Sequence, residues 1–329
     1  MSIPELQRAV EMVAGATTVG LVCHVEPDGD ALGSLLGLHH LCAANGKPSV
    51  ASWPEPFLVA PHYAFLPGLD DCTKPADFPA DPDVMITFDC GSLDRLNELA
   101  VPARRAAERG RLIVLDHHRT NGCYGSVNVV DPAAAATAVV VRALADGLGW
   151  RLTRDAALCL YTGLVTDTGR FQYEATSPDV FELAAELSAF DLPIPSMSRQ
   201  LFEEHRFAYI KLIAACLARA ELDIDLRFVA TWVGADDLEA YHVSIQETEG
   251  LIDLVRRAKE ADVACVLKET DTGVRVSLRS VGTIDVSEVA TRFGGGGHAF
   301  AAGFIANDSI AGVLADVRAA VAEQRRCQA

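Results

Sequence analysis

The sequence is poor in basic residues and has no long apolar run. Lys and Arg total 28 against 45 Asp and Glu, which gives a formal net charge of −17 over 329 residues. Counterion release on a long nucleic acid needs clustered Lys and Arg, so this average field argues against duplex DNA as a partner. Acids, Arg or Pro interrupt each apolar run before the ~20 residues that a bilayer span needs, so no membrane association is predicted.

Paired cysteines and a leader pattern are also missing. The nine cysteines form no CxxC pair, and several lie inside apolar runs, such as Cys23, Cys159 and Cys265. We interpret them as small buried hydrophobic residues in a reducing compartment. The amino terminus has no basic start followed by an apolar core. We therefore expect a soluble, cytoplasmic protein, long enough for two domains of ordinary size.

Apolar runs alternate with helical patterns in the first half of the chain. Buried parallel strands are predicted at Thr18–His24, Val84–Phe88 and Leu112–Leu115. Helices are predicted at Gly33–Asn45, Leu93–Arg109, Ala133–Leu148 and Arg154–Val165. This alternation is typical of an α/β fold with a doubly wound, mostly parallel sheet.

The pattern changes around Asp191, where two prolines indicate a boundary. We predict a metal-binding catalytic domain at 1–190, a linker at 191–208 and a smaller α/β domain with a mixed sheet at 209–329. A helix is expected from about Arg199 to Arg219. Further strands are predicted at Phe228–Val233, Val263–Lys268 and Gly273–Arg279, and further helices at Ile245–Ala258, Val286–Arg292 and Ile310–Arg325.

Residue types that bind metals follow three of the predicted strands. These residues are His24, Asp28, Asp30, Asp89, Asp116, His117 and His118, and the helix beginning near Arg154 leads to Asp167. The carboxyl ends of parallel strands meet in one crevice, so these side chains can converge. A single Asp after a strand is more often a helix N-cap, but capping does not require five acids and three histidines at matching positions. Close carboxylates stay ionised in a partly dry site only with cations between them, which predicts a metal centre.

The donor set indicates which ions are expected. Imidazoles and carboxylates without a thiolate favour a first-row divalent ion of intermediate hardness, with Mn²⁺ the best fit and Co²⁺ or Mg²⁺ able to substitute. The donors also exceed what one ion needs. Two ions about 3.5–4 Å apart can share a carboxylate and a hydroxide, an arrangement used for in-line attack on phosphorus.

Two motifs resemble those of a known family. Asp116-His117-His118, with the spacing H-x-x-x-D-x-D that begins at His24, is similar to the DHH phosphoesterase superfamily. The glycine run that ends at His298 resembles the GGGH signature of the DHH-associated C-terminal domain. Together these motifs resemble the bifunctional oligoribonuclease (nano-RNase) group, which also removes the 3′-phosphate of 3′-phosphoadenosine 5′-phosphate. Relatives in this group hydrolyse pApA or cyclic di-AMP.

The resemblance implies roles for the matching residues. One ion is expected to bind His24, Asp28 and Asp89. The other is expected to bind Asp30, Asp89, His117 and Asp167, so that Asp89 bridges the two. Catalytic roles are expected for Asp89, for Asp116, which would orient a histidine ligand, and for His118, which would face the scissile phosphate. A homodimer is also implied.

A second set of residues is predicted to bind the substrate. Polar and apolar residues alternate from Arg275 to Ser280, which by itself indicates an amphipathic edge strand with solvated arginines. The glycine run lets backbone N–H groups approach a phosphate, which an Arg can also grip bidentately. Together with the resemblance, this predicts a substrate site formed by Arg275, Ser277, Arg279, Gly296, Gly297 and His298.

The expected function is hydrolysis of phosphoesters by metal-activated hydroxide. Substrates would be short oligoribonucleotides, pApA or cyclic di-AMP, giving nucleoside 5′-monophosphates, and 3′-phosphoadenosine 5′-phosphate, giving AMP. An inorganic pyrophosphatase of the DHH type is an alternative, although the glycine run before His298 argues against it. A nucleotide-binding regulatory protein without activity is another.

Some residues are left without a single role. Arg170 and Phe171 follow Asp167 and are expected either to contact a base or ribose, or to be a surface Arg and a core Phe. The stretch 131–141 (DPAAAATAVVV) lacks polar Ser or Glu positions found in some relatives, which leaves substrate recognition open. The remaining histidines are assigned no role; these are His39, His40, His62, His205 and His242.

Overall fold

The structure, a computed structural model, describes residues 2–328, with only the backbone for the last two of these. It consists of two compact units, the first reaching to Leu201 and the second beginning at Phe202. The first contains a parallel sheet and the second a mixed sheet. The predicted α/β fold class is confirmed.

The first unit is built on a five-stranded parallel sheet. Its strands are β1 Val19–Cys23, β2 Ser49–Ser52, β3 Val84–Phe88, β4 Leu112–Asp116 and β5 Val127–Val130. They are arranged in the order β2-β1-β3-β4-β5. The three central strands are buried along their whole length, which explains their continuous apolar runs. The edge strands β2 and β5 are short and partly exposed, so the sequence did not reveal them.

Helices of the first unit precede, connect and follow these strands. They are α1 Ile3–Gly15, α2 Gly29–Ala44, α3 Ala100–Glu108, α4 Thr137–Gly147, α5 Arg154–Asp167 and α6 Pro178–Ser188, followed at the junction by α7 Ile194–Phe202. The predicted helix Leu93–Arg109 is divided at Asn97, whose φ of 42° ends a 3₁₀ segment before α3 begins. Helices α1 and α6 were not predicted.

Helices α2 and α5 approach each other closely. A Cβ atom on Gly33 would lie 2.4 Å from the Cys159 carbonyl oxygen, and one on Gly163 would lie 2.7 Å from Asp30 Oδ1. Neither position has room for a side chain, so the contact depends on glycine. Because α2 carries Asp30 and α5 ends at Asp167, this contact determines the distance between the two acids.

The second unit contains a six-stranded mixed sheet. Its strands are β6 Glu221–Asp223, β7 Phe228–Val233, β8 Val263–Thr270, β9 Gly273–Ser280, β10 Gly296–His298 and β11 Ala301–Ala306. The order is β10-β11-β9-β8-β7-β6, with β7 and β8 parallel and the other neighbours antiparallel. The helices are α8 Phe207–Ala218, α9 Ala235–Tyr241, α10 Leu251–Val255, α11 Val286–Arg292 and α12 Ile310–Gln328.

Two predicted helices of the carboxyl-terminal half are wrong in extent. The helix predicted at Arg199–Arg219 is two helices, α7 and α8, because Arg206 is extended with ψ of 144°. The helix predicted at Ile245–Ala258 is a 3₁₀ turn followed by α10, with Gly250 between them. Glycine disfavours a continuous helix by about 1 kcal/mol relative to Ala.

The cysteines are mostly buried, as their apolar surroundings in the sequence predict. Six of the eight described cysteines are buried, and all eight are free thiols. Within the described residues, no helix is both long and apolar enough to cross a bilayer.

Candidate metal centre

The sheet of the first unit brings the predicted metal residues to one edge. Its strand order reverses between β1 and β3, and ligands of open α/β sheets bind at such a reversal. His24 directly follows β1, Asp89 follows β3, and Asp116 is the last residue of β4. Helix α2 begins beside them, and α5 ends there with Asp167.

Asp28 is both the cap of a helix and a candidate metal ligand. It is the N-cap of α2, and its Oδ1 accepts hydrogen bonds from the backbone N–H groups of Asp30 (3.2 Å) and Ala31 (3.0 Å). Its Oδ2 lies 3.8 Å from Nε2 of His24. One oxygen therefore caps the helix while the other faces the histidine.

His24, Asp28 and Asp89 form the first cluster. His24 Nε2 is 3.8 Å from Asp89 Oδ2, the same distance as from Asp28 Oδ2. The ring's Nδ1 lies 2.8 Å from the Val25 carbonyl oxygen and 3.0 Å from Nη2 of Arg95, which leaves Nε2 facing the two acids. Burial and Arg95 lower the pKa of His24, but Asp28 and Asp89 outweigh them and raise it.

His117 is at the centre of the second cluster. Its Nε2 lies 3.0 Å from Asp167 Oδ2, 3.5 Å from Asp89 Oδ1 and 3.8 Å from Asp30 Oδ2. Its Nδ1 is 3.1 Å from the Ala134 carbonyl oxygen, which holds the ring with Nε2 toward the acids. Burial, Asp89 and Asp167 together raise the pKa of Asp30 well above its ordinary value.

Asp89 belongs to both clusters. Its Oδ2 faces His24 and its Oδ1 faces His117, so each oxygen is directed to a different group. Burial would raise the pKa of this carboxyl, but His118, His24 and His117 outweigh burial and hold it well below the usual range. The residue is also strained, with φ of 51°, and such strain is often found at functional sites.

Asp116 orients His118. Asp116 Oδ1 accepts hydrogen bonds from His118 Nδ1 (2.7 Å) and from the backbone N–H groups of His117 (2.6 Å) and His118 (2.9 Å). We expected Asp116 to orient a histidine ligand. It instead holds the ring of His118, whereas the ring of His117 is held by the Ala134 carbonyl.

The two clusters fit divalent cations. One potential ligand atom per residue lies within 4.8 Å of the others for His24, Asp28 and Asp89, and likewise for Asp30, Asp89 and His117. Ligand atoms lie about 2 Å from a first-row ion, so donors up to about 4 Å apart can share one. The fit is also chemical, because the buried carboxylates repel each other and the metal-free site must retain protons in place of cations.

Metal uptake is expected to release a proton from His117. Burial lowers the pKa of this imidazole, but Asp167 and Asp89 outweigh burial and raise it to about 10. Below that pH an ion at Nε2 displaces a proton, so affinity should fall about tenfold per pH unit from about pH 8.5 to about 6.5. Calorimetry of Mn²⁺ binding in buffers of different ionisation enthalpy measures this proton. A pH-independent affinity would contradict the assignment, and His39→Gln is the control, expected to keep the wild-type slope.

The structure adds residues that the sequence did not single out. Thr137 Oγ1 donates to Asp89 Oδ1 at 3.0 Å. Asn121 Nδ2 donates to Asp116 Oδ2 at 2.5 Å and lies 3.2 Å from the Cys90 carbonyl oxygen, linking the ends of β3 and β4. Thr137 is the one hydroxyl in its alanine-rich stretch, a signal that could have drawn attention to it.

The predicted substrate residues lie at one end of the second unit's sheet. Arg275, Ser277 and Arg279 alternate with buried residues along β9 and therefore share a face. Nη1 of Arg279 donates to the Leu278 carbonyl oxygen at 3.0 Å, and its Nε is buried without a hydrogen-bond acceptor in the described part of the chain. Gly296, Gly297 and His298 form the edge strand β10, paired with β11.

Two of the glycines are required by this strand pairing. A Cβ on Gly295 would lie 2.1 Å from the Gly303 carbonyl oxygen, and one on Gly297 would lie 2.5 Å from that of Ala301. Gly297 also has φ of 138°, which L side chains rarely adopt. Close packing against β11 thus requires glycine at these two positions.

His39 and His40 have hydrogen-bond contacts elsewhere in the fold, whereas Arg170 and Phe171 lie directly after the site. His39 Nδ1 lies 2.9 Å from Ser49 Oγ, and His40 Nε2 lies 2.9 Å from the Pro67 carbonyl oxygen, both within the fold. Arg170 and Phe171 have left-handed φ values of 63° and 62° directly after the site residue Asp167. The ring of Phe171 is 5.5 Å from that of Phe181.

Comparisons with known proteins identify the family. The model of the DHH family, N-terminal domain, matches residues 18–164, and that of the DHHA1 domain matches residues 238–324. The bifunctional oligoribonuclease and PAP phosphatase NrnA of Thermus thermophilus is 31% identical over 304 residues, which are 92% of this chain and 86% of that protein. The chain belongs to the DHH family.

Two further proteins are similar over most of the chain. The cyclic-di-AMP phosphodiesterase GdpP of Geobacillus thermodenitrificans is 27% identical over 333 residues, 96% of this chain and 47% of that protein. A crystal structure of an exopolyphosphatase-related protein from Bacteroides fragilis has a TM-score of 0.88 at 23% identity and covers 99% of this chain and 98% of that one, which shows a shared fold. The predicted resemblance to the DHH and DHHA1 domains is confirmed.

Proposed function

We propose that the protein is a two-metal phosphoesterase that hydrolyses short oligoribonucleotides or adenine dinucleotides. The observation that carries this proposal is the carboxylate of Asp89, whose two oxygens face two separate clusters of His and Asp. His24, Asp28 and Asp89 would hold one ion. Asp30, Asp89, His117 and Asp167 would hold the other. The donor set favours Mn²⁺, with Co²⁺ or Mg²⁺ able to substitute.

The ions and the protein residues have different tasks. Two divalent ions at this site would activate water and neutralise charge on the phosphoryl oxygens. Burial lowers the pKa of His118, but Asp89 and Asp116 outweigh burial and raise it well above its ordinary value, which favours the protonated ring. Since Asp116 holds Nδ1, the ring uses Nε2 for any contact with a substrate. Nε2 donates to a phosphate oxygen or to the leaving oxygen.

Names of relatives support the substrate class. The Thermus thermophilus protein is named as an oligoribonuclease and PAP phosphatase, and the Geobacillus protein as a cyclic-di-AMP phosphodiesterase. For this chain we propose pApA, cyclic di-AMP and short oligoribonucleotides, giving nucleoside 5′-monophosphates, and 3′-phosphoadenosine 5′-phosphate, giving AMP. The net charge of −17 disfavours longer nucleic acids.

A substrate panel tests the activity directly. The protein with Mn²⁺ is incubated with pApA, a short oligoribonucleotide, cyclic di-AMP, 3′-phosphoadenosine 5′-phosphate and pyrophosphate, and nucleoside monophosphate and phosphate release are followed. We expect turnover of at least one of the first four and none of pyrophosphate. Pyrophosphate hydrolysis alone would favour a pyrophosphatase, and two bound ions with no turnover would favour a regulatory nucleotide-binding protein.

Arg279→Ala is expected to weaken substrate binding without affecting the metals. A hydrogen bond to a charged group contributes about 1.5–3 kcal/mol, so KM for pApA should rise about 10–150-fold. Mn²⁺ affinity should stay unchanged. Arg292→Ala is the matched control, because that exposed Arg pairs with Glu323 on the surface. An unchanged KM in the Arg279 variant would remove this residue from the substrate site.

A further inference from the structure

Thr137 contacts two of the proposed metal carboxylates at once. It is the first residue of α4 and is fully buried. Its Oγ1 donates to Asp89 Oδ1 at 3.0 Å, and its backbone N–H donates to Asp30 Oδ2 at 2.5 Å. Asp89 follows β3 and Asp30 lies on α2, so one residue links the acids of two separate elements.

The start of α4 depends on Asp30. The N-cap residue Ala136 is extended and has no side chain that can accept a hydrogen bond. The first N–H groups of a helix have no partner within the helix. Asp30 accepts from two of them, Thr137 N–H through Oδ2 and Ala138 N–H through Oδ1 at 3.0 Å. The carboxylate therefore caps a neighbouring helix, which fixes its position relative to Thr137.

The lone pairs of Asp30 show which oxygen is available to an ion. Oδ1 accepts from Ser34 Oγ at 3.1 Å as well as from Ala138 N–H, which uses both of its lone pairs. Oδ2 accepts from Thr137 N–H and lies 3.8 Å from His117 Nε2. Oδ2 is therefore the oxygen directed to the second cluster.

The carboxylate of Asp89 needs an external constraint. Rotation about the last bond of an Asp side chain has a broad, two-fold profile, so the residue does not by itself fix where each oxygen points. The hydroxyl of Thr137 binds Oδ1, on the side of His117, while Oδ2 faces His24. A rotation of this carboxylate would break its hydrogen bond with the Thr137 hydroxyl. In a buried site, a polar group left without a hydrogen-bond partner destabilises the protein.

We infer that Thr137 is a positioning residue that sets the rotation of the Asp89 carboxylate, so that one oxygen serves each ion. The inference rests on the proposed two-metal function. Outer partners of metal ligands commonly contribute about 10–100-fold to metal affinity. A purely structural Thr137 would affect folding but not the affinity of the folded protein for ions.

Three substitutions separate the hydroxyl from the rest of the residue. Thr137→Val keeps the shape and the N–H bond to Asp30 but removes the donor to Asp89. Thr137→Ser keeps both donors and removes a methyl group. Thr137→Ala also lacks the donor, without placing an apolar methyl beside the carboxylate, and replaces the Val variant if that one does not fold.

The experiment measures Mn²⁺ binding by calorimetry on the full chain, together with metal-free thermal unfolding. We expect Thr137→Val to weaken the binding of at least one Mn²⁺ ion about 10–100-fold and to lower kcat for pApA with KM unchanged. Thr137→Ser should keep its Mn²⁺ affinity and kcat within about threefold of the wild-type values. Wild-type affinity in the Val variant, or in the Ala variant where it replaces Val, would overturn the inference, and so would a loss in Thr137→Ser equal to that in the variant without the hydroxyl. A wild-type protein that binds fewer than two ions would instead overturn the proposed function, before the variants are compared.

Discussion

Asp89→Asn is expected to abolish phosphoesterase activity while leaving the chain folded. The substitution keeps the size of the side chain but removes the charge that faces His24, His117 and His118. Bridging two ions requires a carboxylate oxygen on each side, and an amide offers only one. Losing the bridge should cost at least about 4 kcal/mol of transition-state stabilisation, which is about a thousandfold in kcat/KM.

Metal-dependent stability distinguishes this loss from misfolding. Ligands that bind only the folded state stabilise it by about 2.7 kcal/mol at about 100 times their dissociation constant. Mn²⁺ should therefore raise the unfolding temperature of the wild type and have a much smaller effect on Asp89→Asn. Asp94→Asn is the matched control, because its side chain is 90% exposed and faces Arg104 rather than the site. Near wild-type turnover with two bound ions in Asp89→Asn would reject the assignment.

The candidate metal centre could be located from the sequence because its signals are local. The buried central strands appear as apolar runs, and the acids and histidines directly follow them, so the topology of a parallel sheet was enough to predict that Asp89 and His117 meet. The short strands β2 and β5 have too few buried positions to stand out. Their presence depends on pairing with β1 and β4, which is tertiary information.

Roles that depend on tertiary contacts could not be predicted from the sequence alone. Asp116 precedes two histidines, and nothing in the sequence shows that its carboxylate binds the ring of His118 rather than that of His117. Thr137 lies in an alanine-rich run with few polar side chains. Its contacts appear only when α4 packs against Asp30 and Asp89. The glycines before His298 predict a phosphate site, which stays a prediction, and their packing against β11 is visible only in the structure.

Close packing of α2 on α5 leads to the second large expected effect, in the variant Gly33→Ala. The new Cβ would lie 2.4 Å from the Cys159 carbonyl oxygen and 2.8 Å from the Gly163 nitrogen. Both are backbone atoms, so the helices must separate. Overpacking of this kind costs about 3 kcal/mol, and the better helix propensity of Ala returns about 1 kcal/mol, for a net loss of about 2 kcal/mol.

Gly15→Ala is the matched control, because it also replaces a helical glycine in the first unit. A Cβ on this last residue of α1 would meet no other part of the chain within 4 Å. Only the propensity gain applies there, and stability should rise by up to about 1 kcal/mol. Denaturant unfolding of the metal-free variants measures both changes.

The same variant tests whether the α2–α5 contact also sets the geometry of the metal centre. Separation of the helices moves Asp30 away from Asp167, because the two acids lie on opposite sides of this contact. Gly33→Ala should therefore bind Mn²⁺ more weakly even under conditions where it is fully folded, whereas Gly15→Ala should keep the wild-type affinity. If Gly33→Ala and Gly15→Ala were equally stable, the α2–α5 contact would accommodate the added Cβ without a loss of stability. Another contact would then have to fix the distance between Asp30 and Asp167.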